Sequence, residues 1–304
     1  MKNAPIRHRL EYAAFMGFRG LLRSLPHAAA WRVAESLGTI GHFALPSRRK
    51  IALENLRLAF PQDSEQQHRE TVRKMFRHLG LAFCDPLSAE RFDAVEFCHR
   101  LTLEGWRHFQ EAQALGKGVF VMSAHLGCWE AAAQPIGLYG GSMDVVGRPM
   151  DNPFLDRALT RLRTRFGNRV LDKRGAARGM MKALRKGGAV GILIDQRSPD
   201  HQDAVEVPFF GQPSRTSSVL ARLSLRTGAP VVPIFGYPEP GGRYRVVLRP
   251  AIGPQAKKAQ SEVSLDDQIL DLTGRYMECV EKEIRDRPEL WMWLHRRWRS
   301  APKK

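Results

Sequence analysis

The sequence predicts an α/β protein: a mixed, mostly parallel sheet flanked by helices, behind an N-terminal amphipathic helical region. Three observations lead there. Residues 5–45 repeat apolar positions at helical spacing. From about residue 104, short apolar β-rich runs alternate with helical segments, the rhythm of a sheet whose strands are joined by covering helices. The 304 residues are 43% hydrophobic and 26% charged, which suits a folded core and excludes wholesale disorder, collagen and coiled coil.

In the N-terminal region Leu10, Ala14, Phe18, Leu21, Leu22 and Leu25 share one helical stripe, with Arg7, Arg19 and Arg23 off it. Pro26 starts a second helical segment whose apolar positions are Trp31, Val33, Ala34, Leu37, Ile40 and Phe43. Basic amphipathic helices of this kind suit a membrane interface, and equally suit a pair of ordinary helices covering a core. Further helices are expected over 47–60 and 63–84. Gly118–Ala124 reads as a buried strand, with comparable runs at 144–146, 189–194, 230–235 and 244–248. Helices near 128–139, 152–166, 175–186 and 214–227 connect them, and a last helix over 263–287 stops at Arg287-Pro288. No repeat, linker or low-complexity segment interrupts the chain. The expected division is 1–60, membrane-associating helices, and 61–304, a single α/β unit.

Lys and Arg number 48 against 31 Asp and Glu, a net charge of +17. Such a surface seeks an anionic partner: nucleic acid, a membrane or a phosphorylated substrate. The chain has no recognition-helix motif, no aromatic RNA-binding sheet pattern and no zinc spacing, so nucleic acid is not expected. Cys84, Cys98, Cys128 and Cys279 are far apart with no CxxC pair, the pattern of buried thiols in a reduced compartment. The longest charge-free run, Ala131 to Met143, has 13 residues, short of the roughly 18 a spanning helix needs. Arg19, Arg23, Arg32 and Glu35 interrupt the apolar stretch a signal peptide would require.

No P-loop, GxSxG elbow or HExxH motif is present. The strongest chemical signal is His125-Leu-Gly-Cys-Trp-Glu130, directly after the strand ending at Ala124. Functional groups of open α/β sheets gather at the carboxyl ends of strands. Positions five apart on one continuous helix point about 140° away from each other. The pair therefore meets only if His125 sits in the turn and Glu130 in the first helical turn. Glu130 would then hold one imidazole nitrogen and leave the other as a general base. A satisfied histidine at a strand end is the plainer alternative.

His-x4-Glu after a strand resembles the His-x4-Asp/Glu motif of glycerolipid-type acyltransferases. The wider context resembles one branch, the lipid A late acyltransferases (lauroyl and myristoyl transferases). The matching blocks run in order from Asn55-Leu-Arg-Leu-Ala-Phe-Pro61 through Gly147-Arg-Pro-Met-Asp-Asn-Pro153, Arg163 with Arg165, and Ile194-Asp-Gln196. Val207-Pro-Phe-Phe-Gly211, Gly228-Ala-Pro-Val-Val-Pro233 and Pro288-Glu-Leu-Trp-Met-Trp-Leu-His-Arg-Arg-Trp298 complete them.

The resemblance implies a glycerolipid-acyltransferase-like fold at the cytoplasmic face of the inner membrane, peripheral or monotopic. It also implies transfer of a fatty acyl chain from acyl carrier protein, as co-substrate, to a hydroxyl of a lipid A precursor or related glycolipid. No metal, no cofactor and no covalent acyl-enzyme are implied. On this reading His125 is the base and Glu130 orients it. Arg148, Arg163 and nearby backbone amides are candidate oxyanion donors, and the arginines suit acceptor phosphates equally well. Asn152 joins them as a substrate-binding residue. Asp195 and Gln196 close an apolar strand, with Asp195 read either as a site residue or as a structural cap. Glycerol-phosphate acyltransferases carry Glu-Gly-Thr-Arg at that place, and its absence here disfavours that acceptor. Arg215 and Thr216 are expected to open a helix, where an anion could bind. Trp291, Trp293 and Trp298, among Arg296, Arg297 and Arg299, suit either a headgroup layer or a packed core. The expected partners are acyl carrier protein, anionic lipids and the glycolipid acceptor. The alternatives are a coenzyme A donor, a lysophospholipid or other bacterial lipid acceptor, and a catalytically silent membrane scaffold.

Overall fold

The computed structural model describes residues 5–147, 149–172, 176–198, 203–253 and 263–298. Four helices come first: α1 (Ile6–Ser24), α2 (His27–Ala44), α3 (Pro46–Ala59) and α4 (Glu65–Ala89). Pro5, Pro26 and Pro46 stand at the first three starts, where a missing N–H and a fixed φ cost nothing. A capping box between Ser64 and Gln67 starts α4. α2 lies against α4 with Gly38 facing Phe76 and Gly80 facing Ala34; a Cβ on either glycine would stand 2.1 Å from the opposing carbonyl oxygen.

After α5 (Ala94–Cys98) the α/β part runs β1 (Leu101–Glu104), α6 (Trp106–Ala114), β2 (Val119–Ser123), α7 (Trp129–Ala132), α8 (Gln134–Tyr139), β3 (Met143–Gly147), α9 (Pro153–Thr164), β4 (Arg169–Asp172), α10 (Ala176–Arg185) and β5 (Ala189–Leu193). It continues through a hairpin of β6 (Ala204–Phe209) and β7 (Gln212–Ser217), then α11 (Val219–Thr227), β8 (Val231–Glu239), β9 (Arg243–Leu248), α12 (Leu265–Asp286) and a 3₁₀ turn, Pro288–Leu290. The seven-stranded sheet has the order β1-β9-β8-β2-β5-β3-β4, parallel except between β8 and β9. β2 is buried along its whole length, as its apolar run requires.

The register at the centre matters most. β2 and β5 pair in parallel with Ser123 opposite Leu193, and the Ile194 amide extends the ladder to the Ser123 carbonyl at 3.1 Å. Two residues further on, His125 and Asp195 emerge side by side. The C-terminal segment after the 3₁₀ turn crosses directly over this point. Trp291 forms an antiparallel bridge with Leu126. The Gly127 amide donates to the Leu290 carbonyl at 2.9 Å, and the Met292 amide donates to the His125 carbonyl at 3.1 Å. Asn55 of α3 in turn holds the segment, its amide nitrogen donating to the carbonyls of Trp293 and His295 at 2.8 Å each.

Several expectations are corrected. The helix expected near 128–139 is broken at Ala133 into α7 and α8, with Pro135 near the second start. The one expected over 214–227 begins only at Val219; residues 212–217 form β7, so Arg215 and Thr216 lie on a strand and no helix N-terminus offers itself there. β1, β4 and the β6–β7 hairpin were not foreseen, and β1 is a four-residue edge strand of alternating half-buried and exposed positions that carries little periodic signal. Trp291, Trp293 and Trp298 are buried and form no headgroup layer. Phe209 and Phe210 pack among them, and the Trp291 and Trp293 rings meet edge to face at 4.5 Å. Arg297 is buried with them, donating to the Arg215 carbonyl and to Thr216 Oγ1.

On α1, Leu22 is buried and Phe18 half-buried, as is Leu25 just beyond its end, whereas Ile6, Leu10 and Leu21 are exposed, as are Leu37, Ile40 and Phe43 of α2. Among the described residues no helix is long and apolar enough to cross a membrane. The α2–α4 contact generates the first prediction. Gly80→Ala should lower unfolding free energy by about 2–3 kcal/mol, because its methyl meets backbone that cannot rotate away. Chemical denaturation of wild type and variant measures this, whereas Gly20→Ala, with nothing within 4 Å, should not destabilise.

Candidate active site

His125 leaves β2 in the turn before α7, and its side chain is 21% exposed. Its Nδ1 lies 2.9 Å from Asp195 Oδ1. A carboxylate only accepts, so Nδ1 carries the proton and Nε2 is the nitrogen left for a substrate. Asp195 is fully buried, and its second oxygen accepts from the Trp291 indole N–H at 2.8 Å. Glu130 does stand in the first turn of α7, as expected, but its carboxylate does not hold His125. It is gripped by Arg163 of α9, whose Nε lies 3.1 and 3.2 Å from its two oxygens and whose Nη2 lies 2.5 Å from one. The expected His125–Glu130 contact is thereby corrected: the adjacent strand supplies the imidazole's carboxylate, and Glu130 turns to a bidentate guanidinium partner.

The electrostatics follow from this geometry. Burial alone would push the His125 imidazole down, but the charge and hydrogen bond of Asp195, with the charge of Glu130, more than offset it and raise it above 6.5. Burial would raise Asp195, yet the His125 charge and hydrogen bond prevail, with smaller help from His295 and Trp291, and hold it down at about 2. Two consequences for stability differ in sign. The His125 contribution is present below 6.5 and lost as pH rises through its raised folded value. The Asp195 contribution is present above 3.8 and lost as pH falls toward about 2.

The remaining expected residues fall in different places. Asn152 is buried as the N-cap of α9, accepting from the Phe154 amide and donating to the His8 carbonyl and to Glu11 of α1. Its polar atoms are thus committed to joining α1 to α9 and not to a substrate. Gln196 is exposed at the bend after Asp195. Thr216 supports Arg297 on β7. Arg165 fastens the end of α4, donating to the carbonyls of Ala89 and Phe92. Arg148 lies outside the described residues. Of the backbone amides expected near an oxyanion, those of Gly127 and Cys128 are already bound to the carbonyls of Leu290 and Gly236.

His125, Glu130 and Arg163 border a mostly apolar cavity of about 440 Å³. Its rim carries exposed Phe83 and Met150. Its inner wall includes Phe97, Phe166 and Tyr244, with Phe97 5.1 Å from Phe166 and 5.6 Å from Tyr244. Asp85 also faces this space. Burial pushes it up to about 6 against the hydrogen bonds from Tyr244 and Trp31, which occupy both its oxygens. Sequence reasoning overlooked Asp85, which sits in no motif, and it named Trp291 without its contact to Asp195, because the block that carries it says nothing of what the indole meets.

A histidine paired with a buried carboxylate at the edge of a mostly apolar cavity is an arrangement that suits acyl transfer involving a lipid. Known sequences agree with that class. The model of the family described as bacterial lipid A biosynthesis acyltransferase matches residues 2–300, and the chain belongs to that family. It is similar to the lipid A biosynthesis lauroyltransferase of Escherichia coli K12, 30% identical over 94% of this chain and 90% of the relative. It is also similar to the palmitoleoyltransferase of the same organism, at 27% over 94% and 90%, and to its myristoyltransferase, at 26% over 85% and 78%.

The pH dependence of kcat/KM tests the His125–Asp195 pair. Its acid limb should lie above 6.5 in wild type. In Asp195→Asn the main charge opposing burial is gone and only that of Glu130 remains, so the limb should move to lower pH while the rate falls by about 10²–10⁴. An unshifted limb would show that another group titrates.

Proposed function

We propose that the protein transfers a fatty acyl chain from acyl carrier protein to a hydroxyl of a lipid A precursor, with His125 as general base. The observation that carries this reading is the His125–Asp195 pair opening onto the apolar cavity. Nε2 takes the acceptor hydroxyl proton as the alkoxide oxygen attacks the thioester carbonyl. The tetrahedral intermediate collapses by breaking the C–S bond, and the imidazolium returns the proton to the departing thiolate. Asp195 keeps the tautomer and stabilises the imidazolium. Arg163, with Glu130 against it, is placed to stabilise the oxyanion or to bind an acceptor phosphate. Glu130 adds negative charge beside the imidazolium without touching it.

The acyl chain would lie in the cavity with its methyl end toward Phe97, Phe166 and Tyr244. Polar Asp85 does not repel it, since both carboxylate oxygens are satisfied. The exposed apolar side chains of α1 and α2, with Phe83 and Met150 at the rim, would enter the interface of an anionic leaflet. Each basic side chain near that surface would contribute about 1 kcal/mol. The relatives are named for lipid A biosynthesis, which supports a membrane glycolipid as acceptor.

The test is transfer of labelled acyl chains from acyl carrier protein to a lipid A precursor in mixed micelles. His125→Ala should lose about 10²–10⁴ in rate. Transfer undiminished in His125→Ala, or no transfer by wild type to this acceptor, would overturn the reading. Phe97→Leu should shift preference to longer chains, each extra methylene accommodated being worth about fourfold in kcat/KM. An unchanged chain-length profile would place the hydrocarbon elsewhere.

A further inference from the structure

We propose that Trp291 is a positioning residue of the reaction: its indole N–H fixes the Asp195 carboxylate, and through it sets the tautomer and proton affinity of His125. The inference rests on the preceding reading of His125 as the base. Asp195 has two oxygens and two donors, His125 Nδ1 at 2.9 Å on Oδ1 and Trp291 Nε1 at 2.8 Å on Oδ2. With one oxygen held by each, the carboxylate cannot turn about its own axis without losing a hydrogen bond in a fully buried place.

The indole is itself closely packed. It is fully buried, meets Trp293 at 4.5 Å and Phe209 at 5.7 Å, and has His295 5.5 Å away across its face. The same C-terminal segment holds the other half of the pair. Its bridge to Leu126 and the Met292 amide on the His125 carbonyl fix the backbone from which the imidazole projects. One stretch of chain therefore locates both members of the pair, and Asn55 anchors that stretch to α3.

The electrostatic consequence has a definite sign. The charged and titratable groups facing the pair are Glu130 on α7, Arg163 on α9, and His295 and Arg297 on the C-terminal segment. Trp291 adds no charge to this set. It disperses the Asp195 charge through a neutral donor, and so restrains how strongly Asp195 raises His125. Removing the donor concentrates charge on the oxygen facing His125 and makes the imidazole more basic.

The experiment uses the full chain in detergent micelles with labelled histidine and tryptophan. In wild type the Trp291 indole N–H resonance should titrate with the same midpoint as His125, because both share one carboxylate. Trp291→Phe keeps the ring packing and deletes the donor. It should raise the His125 midpoint by about 0.5–1 unit and lower kcat roughly 10- to 100-fold, with KM little changed. A purely structural role would reduce the folded fraction and leave the midpoint where it was. An indole resonance indifferent to pH across the His125 titration, or an unmoved midpoint in folded Trp291→Phe, would overturn the proposal. These resonances are read without turnover, so a failure to find acyl transfer would count against the catalytic reading and not against this one.

Discussion

A carboxylate buried away from water is tolerated only where donors and a counter-charge meet it, and in this protein that demand organises the centre of the molecule. Asp195 is met by an imidazole from the neighbouring strand and an indole from the far end of the chain. The demand explains why β2 and β5 must pair in the observed register, since a slip of one residue would turn the side chains to the opposite face. It also explains why an aromatic C-terminal segment is drawn into the core. Glu130, relieved of orienting the imidazole, pairs with Arg163 and ties α9 to the other side of the cavity.

The strand–helix rhythm after residue 104, the helical N-terminus and the position of His125 were all legible, because they rest on local periodicity. β2, β5, β8 and β9 fall close to their expected spans. Strand order is another matter. Asp195 was recognisable as a residue closing an apolar strand, yet nothing local says that this strand lies beside β2, so its partnership with His125 was hidden. Glu130 misled for the same reason: five residues from His125 in sequence, it is closer in space to Arg163, thirty-three residues away.

The tryptophans and arginines of the C-terminus show how composition alone misplaces a segment. A Trp/Arg mixture fits a membrane interface and a dense core about equally well. What favours the core is that two of the three indole N–H groups and the Arg297 guanidinium find partners inside, while the Trp298 N–H is buried without one. Trp291 and Trp293 find Asp195 and the Pro288 carbonyl, and Arg297 finds a carbonyl and a hydroxyl on β7 with Phe209 under its plane. Thr216, read as an anion site, turns out to be one of those partners. Among the described residues, most of the remaining Lys and Arg lie on helices.

The crossing of the C-terminal segment over His125 also has a temporal side. Trp291 follows Asp195 by 96 residues, so on a ribosome adding about 5–20 residues per second the two strands exist for roughly 5–20 s before the indole is made. Until then the carboxylate of the central pair has only half its donors, and the turn holding His125 has no strand above it. Whatever the emerging sheet has assembled by that time, the geometry around His125 is complete only after a segment made 96 residues later than Asp195 has folded back over it.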